Sequence, residues 1–204
     1  MKIAIIGTGN VGSALAQKWH DAGHTIHLGV RDINQFKGIE LLKNKNITAH
    51  NVQEAVALSE VILLSVPASK VIDIARNLGN TKEKVIIDAM NNINKQLKGF
   101  NNTTDAILLN TNCQNVVKCF NTTGYNNMID TKYKTTMIDA FVAGDSEYGK
   151  KIATQLAKDA NFGQCYDIGG NIFFDLMEQF AFFWINLAIN QKMGRDIAFK
   201  LLNR

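Results

Sequence analysis

The chain has 204 residues, too many for a bare nucleotide-binding domain and too few for that domain plus a substrate domain of roughly 100 residues or more. At 46% hydrophobic and 20% charged, with a mean hydropathy of −0.07, its composition excludes a disordered chain, a disulfide-built mini-protein and a coiled-coil or collagen-like rod. The net charge is +4 and the lysines are scattered without interleaved aromatics, so no nucleic-acid footprint is expected; three cysteines with no C-x-x-C spacing point to reduced thiols in a cytoplasmic protein.

Met1-Lys2 leads straight into an apolar run and then glycine, which is too short for the core of a signal peptide. The first strand is expected at Ile3–Ile6. Asn10–Ala22 places Val11, Ala14, Leu15, Trp19 and Ala22 at helical spacing, and Gly23 supplies the stop. A second strand follows at Thr25–Val30. A short helix is then expected at 34–43, with Asp32 as its N-cap and Gln35 as the N3 partner. Ile47–His50 reads as a weak third strand and 53–58 as a helix.

Val61–Val66 is an unbroken strand run, and Pro67 stands where the next helix begins, a position that needs no backbone N–H. That helix runs to Leu78. Further strands are expected at Val85–Asp88, Val116–Phe120, Met137–Val142 and 163–167, with a helix at 145–160. Strands alternating with helices predict an α/β fold, a Rossmann-type doubly wound and mostly parallel sheet. The division expected is residues 1–168 as the nucleotide-binding domain and 169–204 as a C-terminal helical extension.

The sharpest motif is Gly7-Thr8-Gly9-Asn10-Val11-Gly12, a complete G-x-G-x-x-G between a strand and an amphipathic helix. The first glycine permits the tight turn, the second lets backbone approach a pyrophosphate, and the third lets helix pack on strand. The helix N-terminus then receives the phosphates. The end of the second strand chooses between dinucleotides: an acid there takes the ribose hydroxyls of NAD, whereas an arginine accommodates the 2′-phosphate of NADP. Here Val30 occupies the acidic position and Arg31 follows it, which favours NADP(H). Asp32, about 20 residues after Gly12, is the competing ribose partner.

Taken together, M-K-I-A-I-I-G-T-G-N-V-G, G-H-T-I-H-L-G-V-R-D, V-I-L-L-S-V-P, V-V-K-C-F-N-T-T-G and F-V-A-G-D resemble the NADPH-dependent coenzyme F-420 (deazaflavin) reductase family, over essentially the whole chain. The resemblance implies that Thr8 to Gly12 cradle the pyrophosphate and that Val30 and Arg31 flank the 2′-phosphate. Ser65, Val66 and Pro67 would line the ribose and adenine side. It also implies that Ala89, Met90 and Asn91 lie beside the nicotinamide ribose, with Asn121 and Thr123 near the ring. Two positions depart from the archaeal deazaflavin enzymes, which are associated with a serine at Val30 and a histidine at Asn121.

The four histidines show no metal-ligand set: Gly23 separates His20 from His24, and no third ligand is near. Asp88 ends a strand and is read as a structural residue. No catalytic acid or base stands out, as suits hydride transfer to a flat flavin or deazaflavin, where the protein mainly supplies position. A non-enzymatic NADPH sensor and a small imine or hydroxy-acid reductase are the competing readings. Ile172–Ile189 is apolar on two faces, with Phe173, Leu176, Met177, Phe180, Phe183, Trp184 and Leu187 on one of them. A helix of this kind needs burial on more than one side, so a homodimer through the C-terminal helix is expected. No run of about 18 apolar residues is free of charge, so no membrane span is expected.

Overall fold

The computed structural model describes residues 1–93 and 97–204. Six parallel strands, β1 (Lys2–Ile6), β2 (Thr25–Gly29), β3 (Ile47–His50), β4 (Val61–Leu64), β5 (Val85–Asp88) and β6 (Asn115–Cys119), stand in the order 3-2-1-4-5-6. The order reverses beside β1, which places the switch point of a doubly wound sheet at the glycine loop. Beyond β6 the sheet continues through β9 (Ala140–Ala143), antiparallel to β6, and β10 (Cys165–Gly169), parallel to β9. A separate two-stranded ribbon, β7 (Lys132–Tyr133) with β8 (Thr136–Met137), occupies the loop before β9. The apolar run expected as one strand over 137–142 is thus divided: Met137 ends the ribbon, and the sheet strand begins at Ala140.

The β period of two explains the double-sided core. Ile3 and Ile5 face one layer, with Leu15 and Trp19 of α1 (Asn10–Asp21) and Leu156 and Ala157 of α6 (Glu147–Asp159). Ala4 and Ile6 face the other, with Ala55 and Val56 of α2 (Val52–Ala57), Val71 of α3 (Val71–Arg76), and Ala106 and Ile107 of α4 (Thr103–Asn110). The Trp19 indole N–H donates to the Leu156 carbonyl at 2.9 Å, so the ring fills its layer without leaving a polar atom unpaired.

Three local expectations change. The helix expected over 34–43 is only a 3-10 turn at Ile39–Lys43, because Asp32 closes an Asx turn onto the Asn34 N–H (2.9 Å) instead of capping a helix. The stretch after β4 starts as a 3-10 turn at Ala68–Lys70 with Pro67 as its N-cap, and α3 follows it. Helix α4 and the short α5 (Tyr125–Ile129) were not anticipated. Asn102 caps α4 by accepting from the Asp105 N–H at 2.8 Å.

The C-terminal element is α7 (Phe174–Ile185), extended by a π turn at Asn186–Asn190. Residues 171–190 are long and apolar enough to cross a bilayer by length and composition, but the stretch contains Asp175 and Glu178. Both acids bond to the domain. Asp175 accepts from the side chains of Asn101 and Asn102, and Glu178 from the Asn92 and Thr103 backbone. Phe174 and Met177 pack on Phe141 and Ala143 of β9. After Asn190 the chain returns without regular structure. Ile197 O accepts from the Trp184 indole (2.7 Å), and buried Asp139 holds Lys200 Nζ (2.7 Å) and the Leu201 N–H (2.9 Å). The extension is therefore a helix followed by a docked strap, not a helix throughout.

Candidate functional site

The carboxyl ends of β1, β4, β5 and β6 share one edge of the sheet, and the residues anticipated from sequence line it. Gly7 takes φ +103°, a left-handed conformation, as the chain turns from β1 into α1. Its carbonyl accepts the Ser65 hydroxyl at 2.6 Å, so Ser65 braces the loop from β4. A side chain at Gly12 would collide with the Gly7 carbonyl and Ser65 Oγ, whereas one at Gly9 would enter open space. Gly12 is thus fixed by packing and Gly9 by room left for something else. Helix α1 begins at Asn10 with no side-chain cap and no acid in its first turn, which leaves its positive end available to an anion. Thr8 is buried, its carbonyl held by Ser13 Oγ at 3.0 Å.

At the end of β2, Val30 is buried and its N–H donates to His50 O at 2.9 Å, while Arg31 and Asp32 are exposed. The following loop folds back over the glycine loop. Gly38, at φ +90°, lies against Thr8 and Ser13, and Lys37 Nζ donates to Asn10 Oδ1 at 2.8 Å. Lys37 therefore places a cation beside the loop. Nothing in its sequence position marks it, because the fold-back depends on Gly38.

At the opposite end, Ala89 and Met90 are buried where β5 emerges, and Asn91 and Asn121 bond reciprocally. Asn91 Nδ2 donates to the Asn121 carbonyl (3.0 Å), and Asn121 Nδ2 donates to Asn91 Oδ1 (2.9 Å) and Met177 O (3.0 Å). Asn121 Oδ1 is buried with no hydrogen-bond partner among the described residues. Phe120, immediately before it, is a buried non-glycine residue at φ +62°, its ring held edge-on against Trp19. Strain of this type persists where the surroundings over-determine it, and here it sets the direction of Asn121. Thr123 is spent locally, its hydroxyl accepting from Asn127 Nδ2 at 2.7 Å.

Behind this wall lies a charge cluster that sequence reasoning passed over. Lys118 is fully buried in β6, and its ammonium meets Asp88 Oδ2 (2.8 Å), Glu178 Oε1 (2.9 Å) and the Met90 carbonyl (2.9 Å). Thr103 and Thr104 hydroxyls donate to Asp88 Oδ2 at 2.6 and 2.7 Å, and Asp88 Oδ1 accepts the Met90 N–H at 2.8 Å. Asp88 is structural, as read from sequence, and it is part of this set. Lys118 ties β5, β6, α4 and α7 to the turn carrying Met90 and Asn91. The inward-facing charge of V-V-K-C was its one available signal, since a lysine in an otherwise apolar strand needs partners.

Among known proteins, residues 2–92 match the family model described as NADP oxidoreductase, coenzyme F420-dependent. The matched stretch holds β1 to β5 and the glycine loop. A solved protein of Arthrobacter sp. FB24, named as a candidate F420-dependent NADP reductase, is 22% identical, with full coverage of both chains and a TM-score of 0.82. An imine reductase from Pseudomonas sp. is 15% identical over 93% of this chain and 62% of its own, with a TM-score of 0.71. At these identities the likeness shows the fold. The glycerol-3-phosphate dehydrogenase [NAD(P)+] of Thermoanaerobacter sp. (strain X514) is 32% identical over 99 residues, 43% of this chain and 30% of its own. The chain thus spans less than a third of the curated relative it matches.

The residues present fit a dinucleotide. Gly9 leaves a cradle that a Cβ would fill, cations stand at Arg31 and Lys37, and an orphaned acceptor waits at Asn121.

Proposed function

We propose that the protein is an NADP(H)-dependent oxidoreductase whose acceptor is a flat conjugated ring, a flavin or deazaflavin. The observation that carries the cofactor reading is the open cradle at Gly9 on the switch point, with the Lys37 ammonium held beside it on Asn10. Arg31 supplies the forked donor that a 2′-phosphate would use, and Val30, buried and with its N–H already bonded, offers no competing carboxylate. The backbone from Thr8 to Gly12 holds the pyrophosphate. Ser65, Val66 and Pro67 form the β4 side of the crevice, and Ala89 to Asn91 with Asn121 form its far end. Thr123 positions that end through Asn127.

A bound nicotinamide supplies a hydride at its C4 atom. The chain's own task is then to hold that ring and the acceptor within roughly 3–3.5 Å and to keep water away. No histidine or acid needs to act, because a conjugated acceptor that takes up a hydride is left as a delocalised reduced anion and needs no proton in that step. The outward face of α7 supports a homodimer. Leu176, Phe182 and Phe183 are exposed there, and Ile172 is exposed in the turn that precedes the helix, large apolar side chains of the kind that mark an interaction site. A second copy over it would add a wall to the acceptor end, in a cytoplasmic enzyme working on small molecules.

Fluorescence titration with NADPH and NADH, followed by an acceptor screen, tests the reading. Wild type should prefer NADPH, and Arg31→Ala should lose roughly 10- to 100-fold in NADPH affinity while NADH binding stays nearly constant. Equal weakening of both cofactors would remove the NADP assignment. Turnover of small imines with no turnover of flavins would redirect the acceptor class, and tight binding with no acceptor at all would favour a sensor.

A further inference from the structure

We infer that Asn121 Oδ1 reads the carboxamide of the nicotinamide ring, making Asn121 the residue that distinguishes an amide-bearing dinucleotide from one altered at that group. The inference rests on the cofactor reading above and goes a step beyond it, to a specificity-determining atom.

The orientation of the Asn121 side chain is settled by backbone partners. Its Nδ2 donates to Met177 O at 3.0 Å, an acceptor that cannot exchange roles, so Nδ2 must point there and Oδ1 must point away. Asn91 is fixed in the same manner, since its own Nδ2 donates to the Asn121 carbonyl at 3.0 Å and thereby turns Asn91 Oδ1 toward Asn121 Nδ2. Both Nδ2 hydrogens of Asn121 are therefore used. Oδ1 remains, in a residue 4% exposed, with no donor among the described residues. Buried polar atoms without partners are uncommon, and one in the loop just beyond the carboxyl end of β6, the end at which doubly wound sheets take their ligands, is explained by a ligand donor.

Position selects which donor. Three strand spacings of about 4.8 Å separate β6 from β1, so Asn121 lies roughly 14 Å along the sheet from the glycine loop. It stands on the half that a doubly wound sheet gives to the second mononucleotide, away from the adenosine half on β2 and β3. Of the groups that end of a nicotinamide dinucleotide carries, the carboxamide N–H₂ is the neutral donor attached to the ring. The strained Phe120 and the α7 carbonyl hold Asn121 in place before anything binds, so little order is lost when the bond forms.

Three dinucleotides differing only at this group test the inference: NADP+, its 3-acetylpyridine analogue (a methyl ketone with no N–H) and its nicotinic acid analogue (a carboxylate). Dissociation constants are measured by calorimetry on wild type and on Asn121→Leu. Wild type should bind NADP+ roughly 10-fold or more tightly than the methyl ketone, and the carboxylate should be weakest because its oxygens face an acceptor. Asn121→Leu should weaken NADP+ by about the same factor and leave the methyl ketone nearly unchanged, so the preference collapses. The wild-type ranking needs no variant and stands alone should Asn121→Leu not fold. Equal binding of all three by wild type overturns the inference while the cofactor reading survives. So does a preference retained by Asn121→Leu. Failure to bind any of the three overturns both.

Discussion

Replacing Lys118 by methionine isolates the energetics of the buried charge cluster. The ammonium is fully buried between Asp88 and Glu178, at 2.8 and 2.9 Å, and it also holds the Met90 carbonyl. Methionine keeps most of the stem's volume, so the loss is electrostatic and not a cavity. Asp88 is then a fully buried carboxylate that has lost its cation, and removing one partner of such a pair costs about 3–5 kcal/mol. For a chain of this size 1 kcal/mol corresponds to about 2–4 °C, so Tm should fall by about 6–20 °C. Urea unfolding gives the free energy and calorimetry the Tm. The triple variant Lys118→Met/Asp88→Asn/Glu178→Gln removes the stranded charges as well and should recover at least half of the loss, since neutralising a buried set together is far less costly than breaking it. A loss below about 1 kcal/mol, or a triple variant no more stable than the single one, would refute the reasoning.

Other expectations follow from the loop, the sheet edge and the strap. Gly9→Ala should keep the wild-type Tm, because φ is −73° and the added methyl meets nothing, yet lose NADPH binding in titration; Gly12→Ala should lose binding and about 1–3 kcal/mol of stability through its collision with the Gly7 carbonyl. Burial first, then the neighbouring His50 and Lys2, hold the His27 pKa below its ordinary 6.5. The unfolded chain therefore takes up a proton before the folded one does. Stability from this group is complete above pH 6.5 and lost as pH falls below it, so Tm scans from pH 7.5 to 5 should show a shallower acid-side decline for His27→Gln. Trp184→Phe removes the donor to Ile197 O and should cost about 1 kcal/mol while exposing residues 191–204 to limited proteolysis, read by mass spectrometry.

Features with a local cause were legible in the sequence. The G-x-G-x-x-G turn, the apolar β-branched runs of β1, β4 and β5, and the Asn10-to-Asp21 helix each carry their reason within a few residues, and the structure repeats them closely. Helix α4 was also legible in principle: Asn102 followed at three residues by Asp105 is a cap signal, hidden among so many asparagines. What could not be read depends on chain that returns from far away. Lys118 finds Glu178 60 residues on, Asn121 is oriented by Met177, and Lys37 reaches Asn10 only because Gly38 turns. The inner face of α7 depends on distant chain in the same way: Asp175 and Glu178 bond to the domain, whereas Leu176, Phe182 and Phe183 are exposed.

The dependence of the site's far end on α7 sets an order of assembly during synthesis. The glycine loop is translated about 165 residues before Glu178 and Met177. At roughly 5–20 residues per second that is an interval of about 8–33 s. During it, β1 to β6 can pair, but Lys118 has only one of its two carboxylates and the Asn121 amide has lost one of its two fixed acceptors. Under the proposed cofactor reading, a nascent chain would thus hold a finished glycine-loop end before its Asn121 end is braced, and the two ends would coexist only once synthesis has passed through the last helix.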